Sequence, residues 1–212
     1  MQAHARLPLF PLGLVLFPGV SLPLHLFEPR YRQLLTDVQA GDRRFGIVCS
    51  LSGVSERALP TGLAGCVAEV TEVESLEDGR SNVIVVGRER FALENVIVDA
   101  APYLVAHVVP LLDIVAPGGL ALSLMVDELR SHFARVVTAV HTLEDNPTVA
   151  QPALPDEPTQ IAWSIASMIE MELSTRQRLL EERSPLLRVE QVNALLRKVL
   201  PDLELRAALH RL

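Results

Sequence analysis

Four prolines, at positions 8, 11, 18 and 23, divide the apolar opening "LPLFPLGLVLFPGVSLPL" into pieces too short for a helix. A proline inside a helix removes a backbone donor and clashes with the preceding turn. The first twenty-six residues are therefore restricted to short strands and tight turns. The same interruption argues against a signal peptide, whose apolar centre needs a continuous run, and against a membrane span. The segment reads as folded core, and the expected location is the cytoplasm.

Glu28-Pro29 then marks a helix start, with Pro29 at the first helical position. Tyr31, Leu34, Leu35 and Val38 follow at helical spacing, and Gly41 ends the element. "RFGIVCSL" reads as a buried strand, and Gly53 to Gly62 as a loop. Cys66 to Leu76 is β-like, Asp78-Gly79 is a hairpin turn, and "NVIVVGRERFALENVIV" is the return strand. In that strand Phe91 and Leu93 alternate with Arg88, Arg90 and Ala92, and Gly87 indicates a bulge or a close backbone approach. "YLVAHVVPLL" supplies one more strand. The fold class is α+β, with a small closed or half-closed barrel expected over residues 1–116.

Pro117-Gly118-Gly119 marks a boundary, after which the apolar period changes from 2 to 3.6. Leu122, Met125, Leu129, Phe133, Val136, Val140 and Leu143 form one helical stripe. Residues 144–158 carry four prolines and read as a linker. A second helix begins near Pro158 with Ile161, Ile165, Met168 and Ile169. Ser174 and Gln177 have capping-box spacing for a third. Ser184-Pro185 opens a fourth, with Val189, Val192, Leu195, Leu196 and Val199, which Pro201 is expected to end before a short tail helix. Residues 117–212 are thus a helical subdomain.

Composition excludes several chemistries. The chain of 212 residues is 49% apolar, long enough for a large core without metal or disulfide. Its net charge of −7, with no basic cluster, argues against nucleic acid as a partner. Of the 19 basic residues only Lys198 is lysine, and it follows Arg197, so no phosphate-binding loop with a Gly-Lys pair exists. Cys49 and Cys66 lack His partners at zinc spacing and are expected as free thiols. His132 and His141, nine apart, fall on opposite sides of a helix, so a shared metal is not expected. Adjacent acids such as Glu181-Glu182 do not face one another. No cofactor is called for.

The pieces "PLFPL", "LFPG", "LPL" and "FEPRY", in order between Leu7 and Leu35, resemble the opening of the N-terminal substrate-binding domain of Lon proteases, and of the stand-alone bacterial members in particular. "GLAGCVAEVTEV", "DGR" and "VVGRERFAL" are similar to its second strand group, and "RQRLLE" with a later "R-x-x-x-x-x-x-L-L" to its helix pair. The resemblance implies a PUA-like β-barrel with one helix, followed by a C-terminal helical bundle. It implies a non-catalytic module that captures unfolded or tagged polypeptide, with a protease or chaperone encoded elsewhere as a further partner. Relative to full-length Lon the chain is expected to stop where the ATPase would begin, leaving no Walker A motif and no Ser–Lys dyad. It is therefore expected not to be an enzyme.

The polypeptide-binding candidates are Phe27, Glu28, Arg30, Tyr31, Arg88, Arg90 and Phe91. One reading makes Glu28 a helix cap and Arg30 and Tyr31 packing residues. The other puts them on the rim of an apolar groove near Phe27, Tyr31 and Phe91 that takes extended polypeptide. Two other classes remain open: an RNA-binding PUA-like module, and a small-molecule-binding barrel.

Overall fold

The structure is a computed structural model that describes residues 5–50, 59–98, 101–114, 119–144 and 152–210. The Pro117-Gly118 boundary, most of the expected loop from Gly53 and residues 145–151 of the expected linker fall outside those residues, and residues 152–157 of that linker form neither helix nor strand. The chain divides into two compact units, one of residues 1–112 with 171–181, the other of 113–170 with 182–212.

The first unit holds strands β1 (Ala5–Leu12), β2 (Ser21–Leu26), β3 (Arg44–Cys49), β4 (Ala64–Ser75), β5 (Ser81–Ile97) and β6 (Leu104–Pro110), with helix α1 (Pro29–Gln39) between β2 and β3. The sheet order is β2-β5-β4-β3-β1-β6, with a further β5–β6 pairing. β1 and β3 are parallel and the remaining pairs antiparallel. The ladder from β1 through β3, β4, β5 and β6 thus returns to β1. Leu9, Val48, Val67, Phe91, Leu93, Ala106 and Val108 are buried together in one cluster. Side chains fill this space, which weighs against the small-molecule reading. Each large apolar member contributes about 1.5–3 kcal/mol by leaving water.

β5 reaches two sets of partners because it is 17 residues long. Its first half pairs with β2 and the end of β4, its second half with β6. Both expectations for Gly87 are met. The β4–β5 register shifts between Cys66 and Ala68, where Arg88 and Glu89 oppose Val67 alone. A Cβ at 87 would collide with the carbonyl of Phe17, and Gly19 donates to the Gly87 carbonyl at 2.8 Å.

Helix α1 forms where its spacing requires, burying Tyr31, Leu34, Leu35 and Val38. A short helix, here numbered α4 (Leu173–Glu181), also belongs to this unit. The capping box expected from Ser174 and Gln177 does not form. Ser174 lies inside the helix, and the Gln177 amide donates to the Ala64 carbonyl at 3.1 Å and to Glu181 at 2.8 Å. A tertiary partner has outcompeted the local cap.

The second unit holds α2 (Gly119–Leu143), α3 (Pro158–Met168) and α5 (Pro185–His210). Glu128 meets Arg197 and Arg135 meets Glu204, so α2 and α5 run in the same direction. Leu129 and Phe133 of α2, Ile161 and Ile165 of α3, and Val189, Val192 and Leu196 of α5 are buried. Met168 and Val199, expected on the apolar stripes, are instead 44% and 45% exposed. Pro201 does not end α5, which continues to His210. Leu200 and Ala207 stay buried on either side of the proline, and Arg135 grips Glu204 through two bonds of 2.8 and 2.9 Å. Burial on both sides of the proline works against the roughly 3 kcal/mol that an interior proline costs a helix, to which the exposed ion pair adds little. No helix among the described residues is long and apolar enough to cross a membrane.

Candidate functional site

The junction between β2 and α1 follows from strand alternation. Leu26 turns inward and is 1% exposed, so Phe27, the next residue, turns outward and is 58% exposed. Glu28 is the N-cap residue of α1, yet its side chain makes no cap hydrogen bond. Its carboxylate instead accepts from Arg30 Nε at 2.8 Å, so the capping role expected of it is not the one it has. Arg30 lies over the Tyr31 ring at 4.4 Å. Tyr31 packs on Phe10 with ring centroids 4.0 Å apart, and is 4% exposed.

Beside this junction the outer face of β2, β5 and the end of β4 forms an open groove of about 420 Å³. Register places Pro23 beside Ile84 and His25 beside Asn82, with Glu72 and Glu74 across on β4. Directly paired residues share a face, so these six side chains line one surface. His25 Nδ1 lies 2.8 Å from Asn82 Oδ1, and Asn82 Nδ2 donates to Glu74 at 2.8 Å. Phe27 stacks on His25 with ring centroids 6.0 Å apart. The groove thus joins a polar chain to an exposed aromatic ring.

The candidates on β5 have other partners. Arg88 is exposed and grips Glu69 through Nε and an amino nitrogen, both at 3.1 Å. Arg44 bridges Glu69 and Glu89 at 3.1 and 3.0 Å. The hydrogen bond from Arg88 holds the Glu69 carboxyl below the usual glutamate range. Arg90 is 6% exposed and donates to the Leu180 carbonyl at 2.5 Å. Phe91 is 2% exposed within the core cluster. Tyr31, Arg90 and Phe91 are therefore interior residues and do not line an open groove, correcting the expectation for all three. A bulge broke the alternation and turned Arg90 inward. Phe27, Glu28 and Arg30 come together at the surface, whereas Arg88 is engaged in a separate ion network.

Sequence reasoning passed over His25, Asn82 and Glu74. The signal was present in "LPLHLF", where Pro23 and His25 alternate with inward leucines, but their opposite numbers on β5 needed the register. The two thiols are unpaired: Cys66 is buried, which pushes it up to about 12, and the half-buried Cys49 is also raised, chiefly by burial. His132 lies 2.6 Å from Asn193. Among the described residues no group of three or more His, Cys, Asp or Glu is placed to hold a metal ion.

The family model of the ATP-dependent protease La (Lon) substrate-binding domain matches residues 6–198. The Lon protease of Cytophaga hutchinsonii is 28% identical over 96% of this chain and 25% of its own length. Lon protease 2 of Syntrophobacter fumaroxidans is 29% identical over 94% of this chain and 25% of its own. The chain thus spans about a quarter of the length of these relatives. Among solved structures, the Lon N-terminal domain protein from Xanthomonas campestris matches with a TM-score of 0.61 and 25% identity, over 90% of this chain and 98% of that one. The N-terminal domain of the Mycobacterium avium complex Lon protease gives 0.68 at 15% identity, over 91% and 98%. With nearly its whole length matched, this chain belongs to the family of Lon substrate-binding domains.

Proposed function

We propose that these residues bind unfolded or tagged polypeptide and contribute no chemistry of their own. In this reading a PUA-like barrel over residues 1–116 presents the binding surface, and residues 117–212 form a helical bundle from which α4 returns to the strands. The client is held for a proteolytic machine, and the setting is the cytoplasm. The observation that carries the reading is the exposed Phe27 ring stacked on His25, a residue that lines the β2–β5–β4 groove. Aromatic side chains are enriched at contact surfaces, and this one stands beside a concave, polar-lined face. The filled interior of the strand unit supports binding on the outside rather than in a barrel pocket.

Photo-crosslinking to a casein-like unfolded substrate tests the proposal. Wild-type protein is expected to crosslink, and Phe27→Ala to lose most of the yield. Tyr31→Phe, which keeps the core ring, is expected to match wild type. Equal yields for wild type and Phe27→Ala, or none for either, refute the assignment.

A further inference from the structure

A second cavity of the strand unit, about 510 Å³, opens between α1 and the β4–β5 turn. Arg32 and Arg80 line it, together with Gln33, Thr36, Ser75 and Ser81, and no carboxylate is among the lining residues. Asp78 offsets the charge of Arg80, so in a chain of net charge −7 the cavity carries one uncompensated guanidinium, that of Arg32, beside the hydroxyls of Ser75 and Ser81. Arg80 Nε is held by Asp78 at 2.5 Å, which leaves its two terminal nitrogens unassigned by that bond. Among the described residues the Arg32 guanidinium makes no ion pair; its backbone N–H donates to the Glu28 carbonyl at 3.0 Å and its carbonyl accepts from the Thr36 hydroxyl at 3.1 Å.

The Arg32 guanidinium rests against the turn. Gly79 has φ of +78°, which glycine adopts without strain. A Cβ there would collide with the Arg32 guanidinium. The "DGR" turn therefore admits one guanidinium at 79 and supplies a second at 80.

We infer that this cavity is an anion site for a phosphate group. Arg32 supplies the charge, the terminal nitrogens of Arg80 supply further donors, and with the Ser75 and Ser81 hydroxyls these suit the several acceptor lone pairs of a tetrahedral oxyanion better than the four of a planar carboxylate. Free phosphate and a phosphomonoester offer the same group, and the cavity volume leaves room for the ester. The inference is independent of the polypeptide-binding surface, which lies on another face of the strands and uses other residues.

The test is a titration of the full chain with inorganic phosphate at constant ionic strength, read by chemical-shift change at the Arg32 and Gly79 amides and by Tm. Saturable shifts are expected, with about tenfold weaker binding in Arg32→Gln. Arg80→Gln is expected to weaken binding as well, whereas Arg135→Gln is expected to leave it unchanged. O-phosphoserine run in parallel distinguishes the sources: tighter binding than phosphate assigns a phosphomonoester, and equal binding assigns the free ion. Both variants are checked for native spectra without phosphate, because Arg32 is exposed and its loss leaves the core intact. No saturation by phosphate, equal affinity in Arg32→Gln, or equal binding of acetate overturns the inference.

Discussion

Removing Asp113 should harm the helical unit more than removing the arginine it serves. Arg188 is 1% exposed, and its guanidinium takes both Asp113 oxygens at 3.0 and 2.9 Å, the Glu182 carbonyl at 3.0 Å, and the Trp163 face at 4.0 Å. Breaking a buried pair from the acid side strands a charge, at a cost of about 3–5 kcal/mol. Asp113 retains 27% side-chain exposure, which admits some water and puts Asp113→Ala near about 3 kcal/mol. Arg188→Met removes the charge while refilling the volume, and leaves only partly solvated acceptors, so its cost is about 1–2 kcal/mol. The double variant should resemble Arg188→Met alone, so that the second substitution recovers about 1–2 kcal/mol of the damage done by the first. Trp163 is the single tryptophan of the chain and is 2% exposed, so urea unfolding followed by its fluorescence reads this unit directly. Strict additivity, or Asp113→Ala costing less than Arg188→Met, would show that the two side chains are not coupled as a buried pair.

Two further outcomes follow from the titrating groups. The folded pKa of Glu69 lies below its unfolded value, so its contribution is complete above the ordinary glutamate range and fades as pH falls through the folded value. Glu69→Gln should therefore flatten the acid limb of a stability curve taken from about pH 6 to pH 3; an unchanged limb contradicts the Arg88 assignment. Cys66 is buried and raised to about 12, while Cys49 is only half-buried. A thiol reagent at about pH 8 should accordingly modify Cys49 in the native protein and Cys66 only on unfolding; simultaneous reaction of both would show that the strand unit opens.

Most of the element order was legible in the residues because local signals and packing agreed. The α1 spacing and the Asp78-Gly79 turn each met partners that their pattern required. The misreadings share a cause, which is a distant partner overriding a local rule. Pro201 reads as a helix stop, but Arg135 and the buried Ala207 hold α5 beyond it. Gln177 reads as a capping residue, but its amide reaches Ala64. The candidate site divides in the same way. Phe27 was identifiable as the residue after an inward Leu26, whereas the burial of Arg90 depends on a bulge whose position relative to β4 no single strand encodes. The groove itself combines residues from three strands separated by up to about sixty positions, and only register brings them together.

The function proposed for the exposed surface at the start of α1 is binding of unfolded chain. Fluorescence anisotropy with a labelled, reduced and carboxymethylated protein as ligand measures it directly. Saturable binding that a folded ligand does not show is expected, weakened about tenfold by Phe27→Ala. Affinity that is undetectable, or that is identical for folded ligand or for the variant, would contradict it.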